Sequence, residues 1–358
     1  MPDEEYDFNR FQDAMSISNV GPNYEFTPSS TDIPRPGPTD VLVRLTHTGI
    51  CGTDIGLALG YLGNHDESGI LGHEGIGKIE LLGSALTPSP TLRKGLRVGV
   101  GWIRDTCRSC DHCMSGQGEI YCRTKTFSGV HVPGTLQQYI IVPVNYLLVL
   151  SEDVEPEIQA PIMCAGVTAY KAIKTAAAVP RSWMLISGAG GGVGSLAVQY
   201  AVAMGYRVIG ADVAEKHAWG MEQGCEAYID VDVEEDVAGF VKRVTDGKMV
   251  AAALVCIGNA RAYQAALECV GSFGTLVCVG IPGPGPQNAM AVLPLQLIQE
   301  GIKITGSLVG SRGDIVEAME FVRRGEVKPK VQVITLNEVG YYAGQVGKIE
   351  AKLVVRLP

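Results

Sequence analysis

No apolar run in the 358-residue chain is long enough to cross a bilayer; the longest, such as MVAAALVCIG at 249–258, reach only about half of the ~20 residues that a helical span needs. Basic runs are absent too. Asp and Glu outnumber Lys and Arg by 38 to 29, giving a formal net charge of −9 and a pI near 5.3. Nucleic acids and anionic membrane surfaces demand a basic footprint, so neither is an expected partner. The N-terminal stretch MPDEEYDFNRFQDAM is acidic and carries no apolar h-region, which argues against a secretory signal. Internal repeats of 20 to 50 residues and low-complexity tracts are also missing, which excludes solenoids and long disordered arms. The expectation is a soluble, cytoplasmic, folded protein.

What remains is a body with 46% hydrophobic residues, 19% charged residues and 45 glycines. At this length a single core would be too large, so two domains are expected. Residues 40–150 read as short strands broken by Gly and Pro, as in DVLVRLTHTG, GIGKIELLG and QQYIIVPVNYLLVL. From about 165 the pattern becomes strand then helix. WMLIS, YRVIGA, AYID, AAALVC, GTLVCVG and IKITGS alternate with helical stretches, and Val193, Leu196, Ala197, Tyr200, Ala201 and Met204 form one apolar stripe. The fold class is therefore α/β, with a β-rich domain over 1–163 and a parallel, doubly wound domain over 164–307. The remainder, 308–358, carries one helix and two strand-like pieces and is read as a return to the first domain.

The segment MLISGAGGGVGSLAVQYAVAMGYRVIGAD sets a strand, a glycine loop, an amphipathic helix and a second strand in order. That constellation points to a dinucleotide: Gly188, Gly191 and Gly194 permit a tight turn, close approach of a pyrophosphate and close helix packing, with Gly192 and Val193 completing the loop. The phosphates would meet the positive helix N-terminus. The spacing is one residue longer than the usual fingerprint. Asp212, ending the second strand, can accept from both ribose hydroxyls of NAD and would repel the 2′-phosphate of NADP.

Ten cysteines without a signal peptide should be thiols or metal ligands. Cys107, Cys110, Cys113 and Cys122 form a Cys-x2-Cys-x2-Cys-x8-Cys loop able to converge on one Zn²⁺, and a site filled by four protein ligands is closed and structural. A catalytic zinc needs fewer cysteines, a histidine and one open position. Cys51 in GICGTD, His73 in GILGHEGIGKIELLG and Cys164 in APIMCAGVTAY suit that description. A cleft between the two domains is where these residues are expected to meet. Cys225, Cys256, Cys269 and Cys278 lie in apolar segments and read as small core residues.

Together these motifs, with GSLVGSR near the C-terminal end, resemble the zinc-containing medium-chain alcohol dehydrogenases, fungal and yeast-type members most of all, over about residues 35–355. The resemblance implies a GroES-like catalytic domain, a Rossmann cofactor domain, two zinc ions per chain, NAD, an alcohol or carbonyl substrate and a homodimer or homotetramer. It makes Cys51, His73 and Cys164 catalytic zinc ligands, with Glu74 a fourth that exchanges with water or substrate. Thr53 would hold the substrate hydroxyl proton, Asp54 would stand behind the ligands, Lys216 would flank the adenosine ribose, and Arg312 would approach the cofactor phosphates. Three positions and one loop length depart from the family pattern. Gly52 replaces a His or Arg, Gly56 a relay histidine and Ala58 a bulky pocket wall, and the last cysteine interval is eight residues instead of seven. The changes at 56 and 58 suggest a roomy pocket and hence bulky or secondary alcohols. Two rival readings remain: a zinc protein of this fold performing non-net redox or conjugated-alkene reduction, and a catalytically silent relative.

Overall fold

The computed structural model describes residues 6–115, 118–283 and 285–358. The chain divides into two compact units, one of Met1–Cys164 with Lys330–Pro358 and the other of Ala165–Pro329.

The second unit is a six-stranded, wholly parallel sheet. Its strands are β1 (Trp183–Ser187), β2 (Arg207–Asp212), β3 (Ala227–Asp230), β4 (Val250–Val255), β5 (Val270–Cys278) and β6 (Lys303–Gly306), in the order β3-β2-β1-β4-β5-β6. This is the doubly wound order, in which the strand sequence reverses direction beside β1, and such sheets bind ligands at the carboxyl ends of the strands flanking that reversal. Strand β1 is buried along its whole length, as a parallel strand covered on both faces must be. The helix Gly194–Ala203 buries Leu196, Ala197, Tyr200 and Ala201, the expected stripe.

One boundary differs from the sequence reading. The chain returns to the first unit at Lys330, not at 308, because the helix Arg312–Arg323 is tied to the helix Ala165–Ala176. Lys174 Nζ lies 3.0 Å from Asp314 Oδ1 and 2.5 Å from Glu317 Oε2, and Tyr170 donates to Glu317 at 2.7 Å. Tyr200, fully buried, donates to the Ala318 carbonyl at 3.0 Å. A helix's apolar stripe says that it packs, not on what. Cys164 likewise falls in the first unit, one residue before the break.

The first unit is built on a seven-stranded, mostly antiparallel sheet. Its central strand, Asp40–Gly49, pairs with Glu74–Leu82, Tyr139–Pro143 and Lys352–Arg356, while Val331–Thr335 lies outside the last of these. A hairpin of Phe11–Ser18 and Glu25–Asp32 precedes it, and a seven-residue helix, Gly52–Ala58, follows its central strand; the sequence reading proposed neither. Among the described residues no helix is long and apolar enough to cross a membrane.

The register of the central strand prepares the site. Gly49 stands opposite Glu74 on one side and opposite Val354 on the other, so the start of one strand and the last strand of the chain both border the turn that carries Cys51. The backbone N–H of Ile50 closes that turn on the Leu353 carbonyl at 3.0 Å.

Candidate metal centre and cofactor site

Cys51, His73, Glu74 and Cys164 come from three separate stretches of the first unit, yet one ligand atom from each lies within 4.8 Å of every other. Cys51 caps the short helix, His73 and Glu74 open a strand, and Cys164 ends a buried 3₁₀ turn, Ala160–Met163. His73 and Glu74 have no exposed surface, and Gly72 turns the chain into them with φ +99, where a Cβ would lie 2.6 Å from Thr135 Oγ1.

Asp54 organises the group. Its Oδ2 accepts the Cys51 N–H at 2.8 Å, and its Oδ1 accepts the Gly72 N–H and the His73 Nδ1–H, each at 3.0 Å. With Nδ1 donating to Asp54, Nε2 faces the sulfurs, 3.3 Å from Cys164 Sγ. Burial pulls the imidazole down, but Asp54 and Cys51 outweigh it and hold His73 well above the ordinary histidine range. The two sulfurs lie 3.9 Å apart. The hydrogen bond with Cys164 holds Cys51 well below the usual thiol range against burial, while the same hydrogen bond, with burial, pushes Cys164 up.

Two residues absent from the sequence reading complete the site. Lys352, buried on the last strand, reaches Glu74 Oε1 at 2.7 Å and the Ile50 carbonyl at 3.1 Å. Gly49 makes room for the carboxyl, since a Cβ there would lie 1.8 Å from Glu74 Oε2. Burial raises the Glu74 carboxyl to about 7 against the opposing ammonium, and burial likewise pulls on Lys352, where Glu74 wins and the ammonium is held. A lone lysine in a strand-like segment carries no motif, and only the ladder reveals its target.

These donors fit a cation. Glu74 Oε2 is buried without a hydrogen-bond partner, and two soft sulfurs with one imidazole are a zinc-type set. The second cluster fits as well. Cys107, Cys110, Cys113 and Cys122 also have their sulfurs within 4.8 Å of one another, with Cys110–Cys113 at 3.7 Å and Cys107–Cys122 at 3.6 Å. Four thiolates at Zn–S bond length span about 3.8 Å along each tetrahedral edge. Backbone N–H groups of Ser109 and Cys110 lower Cys107 to about 5, whereas burial and the neighbouring thiols raise Cys113 to about 12. All ten cysteines are free.

Thr53, half-buried, sits beside the first set with Oγ1 3.8 Å from Cys51 Sγ. Trp102 meets His73 in a T-shaped contact, ring centres 4.9 Å apart, and stacks on Phe127 at 4.7 Å; Trp102 and Phe127 are both half-buried. The room expected at 56 and 58 does not exist. A Cβ on Gly56 would lie 2.5 Å from Leu62 Cδ1 and 3.1 Å from Tyr61 Cε2, so neighbouring side chains fill that volume, and Ala58 is enclosed in the core. Gly52 is exposed.

In the second unit the glycine loop divides its tasks. Gly188 takes φ +79 at the turn, and a Cβ on Gly194 would lie 1.9 Å from the Gly188 carbonyl, so the helix can approach its strand only with glycine there. Gly191 is less crowded, its Cβ meeting that carbonyl at 3.2 Å. The constraint the sequence reading missed is at Gly190, where a Cβ would strike the Lys216 stem at 2.4 Å. Gly192 and Val193 lead into the helix. Asp212, buried, accepts the Gly190 N–H at 2.9 Å and the Val213 N–H at 2.9 Å, one on each oxygen, and Lys216 Nζ stands 3.9 Å away. Arg312 is the first residue of its helix, which Ser311 caps.

A thiolate–imidazole metal set in a β-rich unit, carried on one chain with a doubly wound dinucleotide-type unit, defines a metal-dependent nicotinamide oxidoreductase. Residues 37–152 match the alcohol dehydrogenase GroES-like domain and residues 192–324 the zinc-binding dehydrogenase domain. Alcohol dehydrogenase 2 of Emericella nidulans is 37% identical over 341 residues, covering 91% of this chain and 92% of that protein. An alcohol dehydrogenase of Schizosaccharomyces pombe is 36% identical over 329 residues, covering 91% and 92%. Among solved structures, the alcohol dehydrogenase of the hyperthermophilic archaeon Aeropyrum pernix superposes with a TM-score of 0.84 at 26% identity, over 97% of this chain and 100% of that one. The chain belongs to the zinc-dependent medium-chain alcohol dehydrogenases, for which two zinc ions and NAD(H) are typical.

The close approach at Gly49 has a direct test. Gly49→Ala should force the Glu74 carboxyl away from the ligand set and lower stability by about 1–3 kcal/mol, the usual cost of overpacking. Chemical denaturation of the purified variant would show this; unchanged stability would mean that the strand yields.

Proposed function

We propose that Cys51, His73 and Cys164 hold the catalytic zinc of an alcohol dehydrogenase, with Glu74 as an exchangeable fourth ligand. Cys107, Cys110, Cys113 and Cys122 hold a structural zinc. The observation that carries this reading is the convergence of one histidine, two cysteines and one glutamate around a single point, with Asp54 fixing the imidazole tautomer. When bound, zinc supplies Lewis acidity toward an alcohol or carbonyl oxygen and NAD supplies the hydride acceptor. The chain does the rest. Thr53, beside Cys51, holds the substrate's hydroxyl proton, and Asp54 keeps Nε2 of His73 aimed at the metal. The rings of Trp102 and Phe127 offer a flat apolar wall next to His73. Elemental analysis should find two zinc ions per chain. Cys110→Ser should lose one of them together with stability, and Cys51→Ser should lose turnover while the fold persists. A single zinc in the wild type, or normal turnover in Cys51→Ser, contradicts the assignment.

The dinucleotide lies against Gly188, Gly191, Gly192, Val193 and Gly194, with Lys216 beside the adenosine ribose and Arg312 toward the phosphates, where a guanidinium fork suits two oxygens. NAD is preferred over NADP. Each Asp212 oxygen accepts one backbone N–H and keeps a lone pair for a ribose hydroxyl, whereas a 2′-phosphate would face a fixed carboxylate. The preference should be about ten- to hundred-fold in affinity, and Asp212→Ser should narrow it. Comparing NADH with NADPH in steady-state kinetics decides the matter, and equal use of both would refute it.

The substrate is a bulky or secondary alcohol, or the corresponding ketone. Positions 56 and 58 lend this no support, being filled, but the aromatic pair rewards apolar area at about 0.8 kcal/mol per buried CH₂. kcat/KM should therefore rise from ethanol to cyclohexanol in the wild type, and the rise should shrink in Trp102→Ala. A wild type that strongly prefers ethanol would rule this out.

A homodimer or homotetramer is supported by the uncovered side of β6 and by Phe273, Leu293, Leu295 and Ile298, all largely exposed in or near the segment leading to it. Ten cysteines, none of them in a disulfide, suit the reducing cytoplasm.

A further inference from the structure

Lys352 belongs to none of the sequence motifs, yet it ends inside the ligand set. A lysine is almost never this buried unless it is paired. Its ammonium has two partners, Glu74 Oε1 at 2.7 Å and the Ile50 carbonyl at 3.1 Å. The other Glu74 oxygen, Oε2, has no hydrogen-bond partner, and Gly49 keeps its space clear. The carboxylate is thus divided: one oxygen is held by the last strand of the chain, and the other remains for the metal.

Charge sharpens the point. Two thiolates and one divalent cation sum to zero, so a carboxylate added to that buried set is an excess negative charge, and Lys352 is the cation that offsets it. If Lys352 were neutral, the only positive charge in reach of the buried carboxylate would be the metal, and Glu74 would bind it firmly. Firm binding would close the position that a substrate oxygen must enter.

We infer that Lys352 is a positioning residue that keeps Glu74 a weak, displaceable ligand, by holding Oε1 and offsetting the charge of the carboxylate. The inference rests on the assignment of Cys51, His73 and Cys164 as metal ligands. It makes the C-terminal strand a regulator of access to the fourth metal position rather than a wall of the core alone.

The test is the affinity of a neutral ligand for that position. Protein loaded with Co²⁺ is titrated with imidazole and followed by visible absorption; the four-cysteine site, already filled by protein, does not respond. Imidazole should bind Lys352→Met at least about tenfold more weakly than wild type, because Glu74 then competes, and Lys352→Arg within about threefold. The double variant Glu74→Gln/Lys352→Met, which removes both charges together, should recover wild-type affinity to within about threefold. A purely structural role for Lys352 would leave the loss in place in the double variant. Unchanged affinity in Lys352→Met, or a loss that persists in the double variant, overturns the inference while leaving the metal assignment intact. A wild-type spectrum indifferent to imidazole overturns the assignment itself. Should Lys352→Met fail to fold, Glu74→Gln decides: affinity within about threefold of wild type is expected, and a tightening of about tenfold or more would show Glu74 seated on the metal despite Lys352.

Discussion

The candidate metal site hangs on the three hydrogen bonds that Asp54 accepts. Its carboxylate joins the helix start at Cys51 to the strand start at Gly72 and His73, so two candidate ligands that are 22 residues apart in the chain share one rigid acceptor. Because Asp54 is itself in the first turn of a helix, the carboxylate that orients the imidazole also caps the turn that presents the thiolate. Geometry at one ligand therefore cannot relax without moving the other. Precision of this kind is what an open metal position requires, since one ligand fewer leaves the remaining ones to define the coordination shape.

The second unit uses close contact differently. Asp212, at the end of β2, accepts two backbone N–H groups, one of them from Gly190, and so ties β2 to the glycine loop that follows β1. Asp54 orders a thiol and an imidazole; Asp212 orders the backbone of a glycine loop. In each case a buried carboxylate is satisfied by donors from separate segments, which removes the penalty of burying it and converts the cost of desolvation into a constraint on shape.

The parts legible in the sequence were those whose signal is local. The four-cysteine loop, the strand–loop–helix unit and the alternation of strands and helices all lie within short windows, and the structure holds them where spacing put them. Less legible was whatever depends on register. Lys352 looks like any strand residue until its strand is seen beside Asp40–Gly49, and Gly49 looks like a strand end until Glu74 fills the space beside it. The empty-pocket argument at Gly56 failed for the same reason: a missing side chain in sequence was replaced by Leu62, six residues away, in space. That the helix Arg312–Arg323 belongs to the second unit is not legible in its sequence, because amphipathicity names a buried face and not its partner.

The distribution of the two ligand sets along the chain also orders events during synthesis. Cys107 to Cys122 emerge from the ribosome within a single short stretch, so their loop can capture an ion while most of the second unit is still unmade. The other set must wait. Cys51 and His73 appear early and Cys164 later, but the ammonium facing Glu74 comes 278 residues after that carboxylate, on a strand that has to thread in beside Gly49 once the second unit has been made. Until then the glutamate lacks its counter-charge. The set around Glu74 is thus assembled only after the intervening second unit, whereas the four-cysteine loop needs nothing beyond its own short stretch.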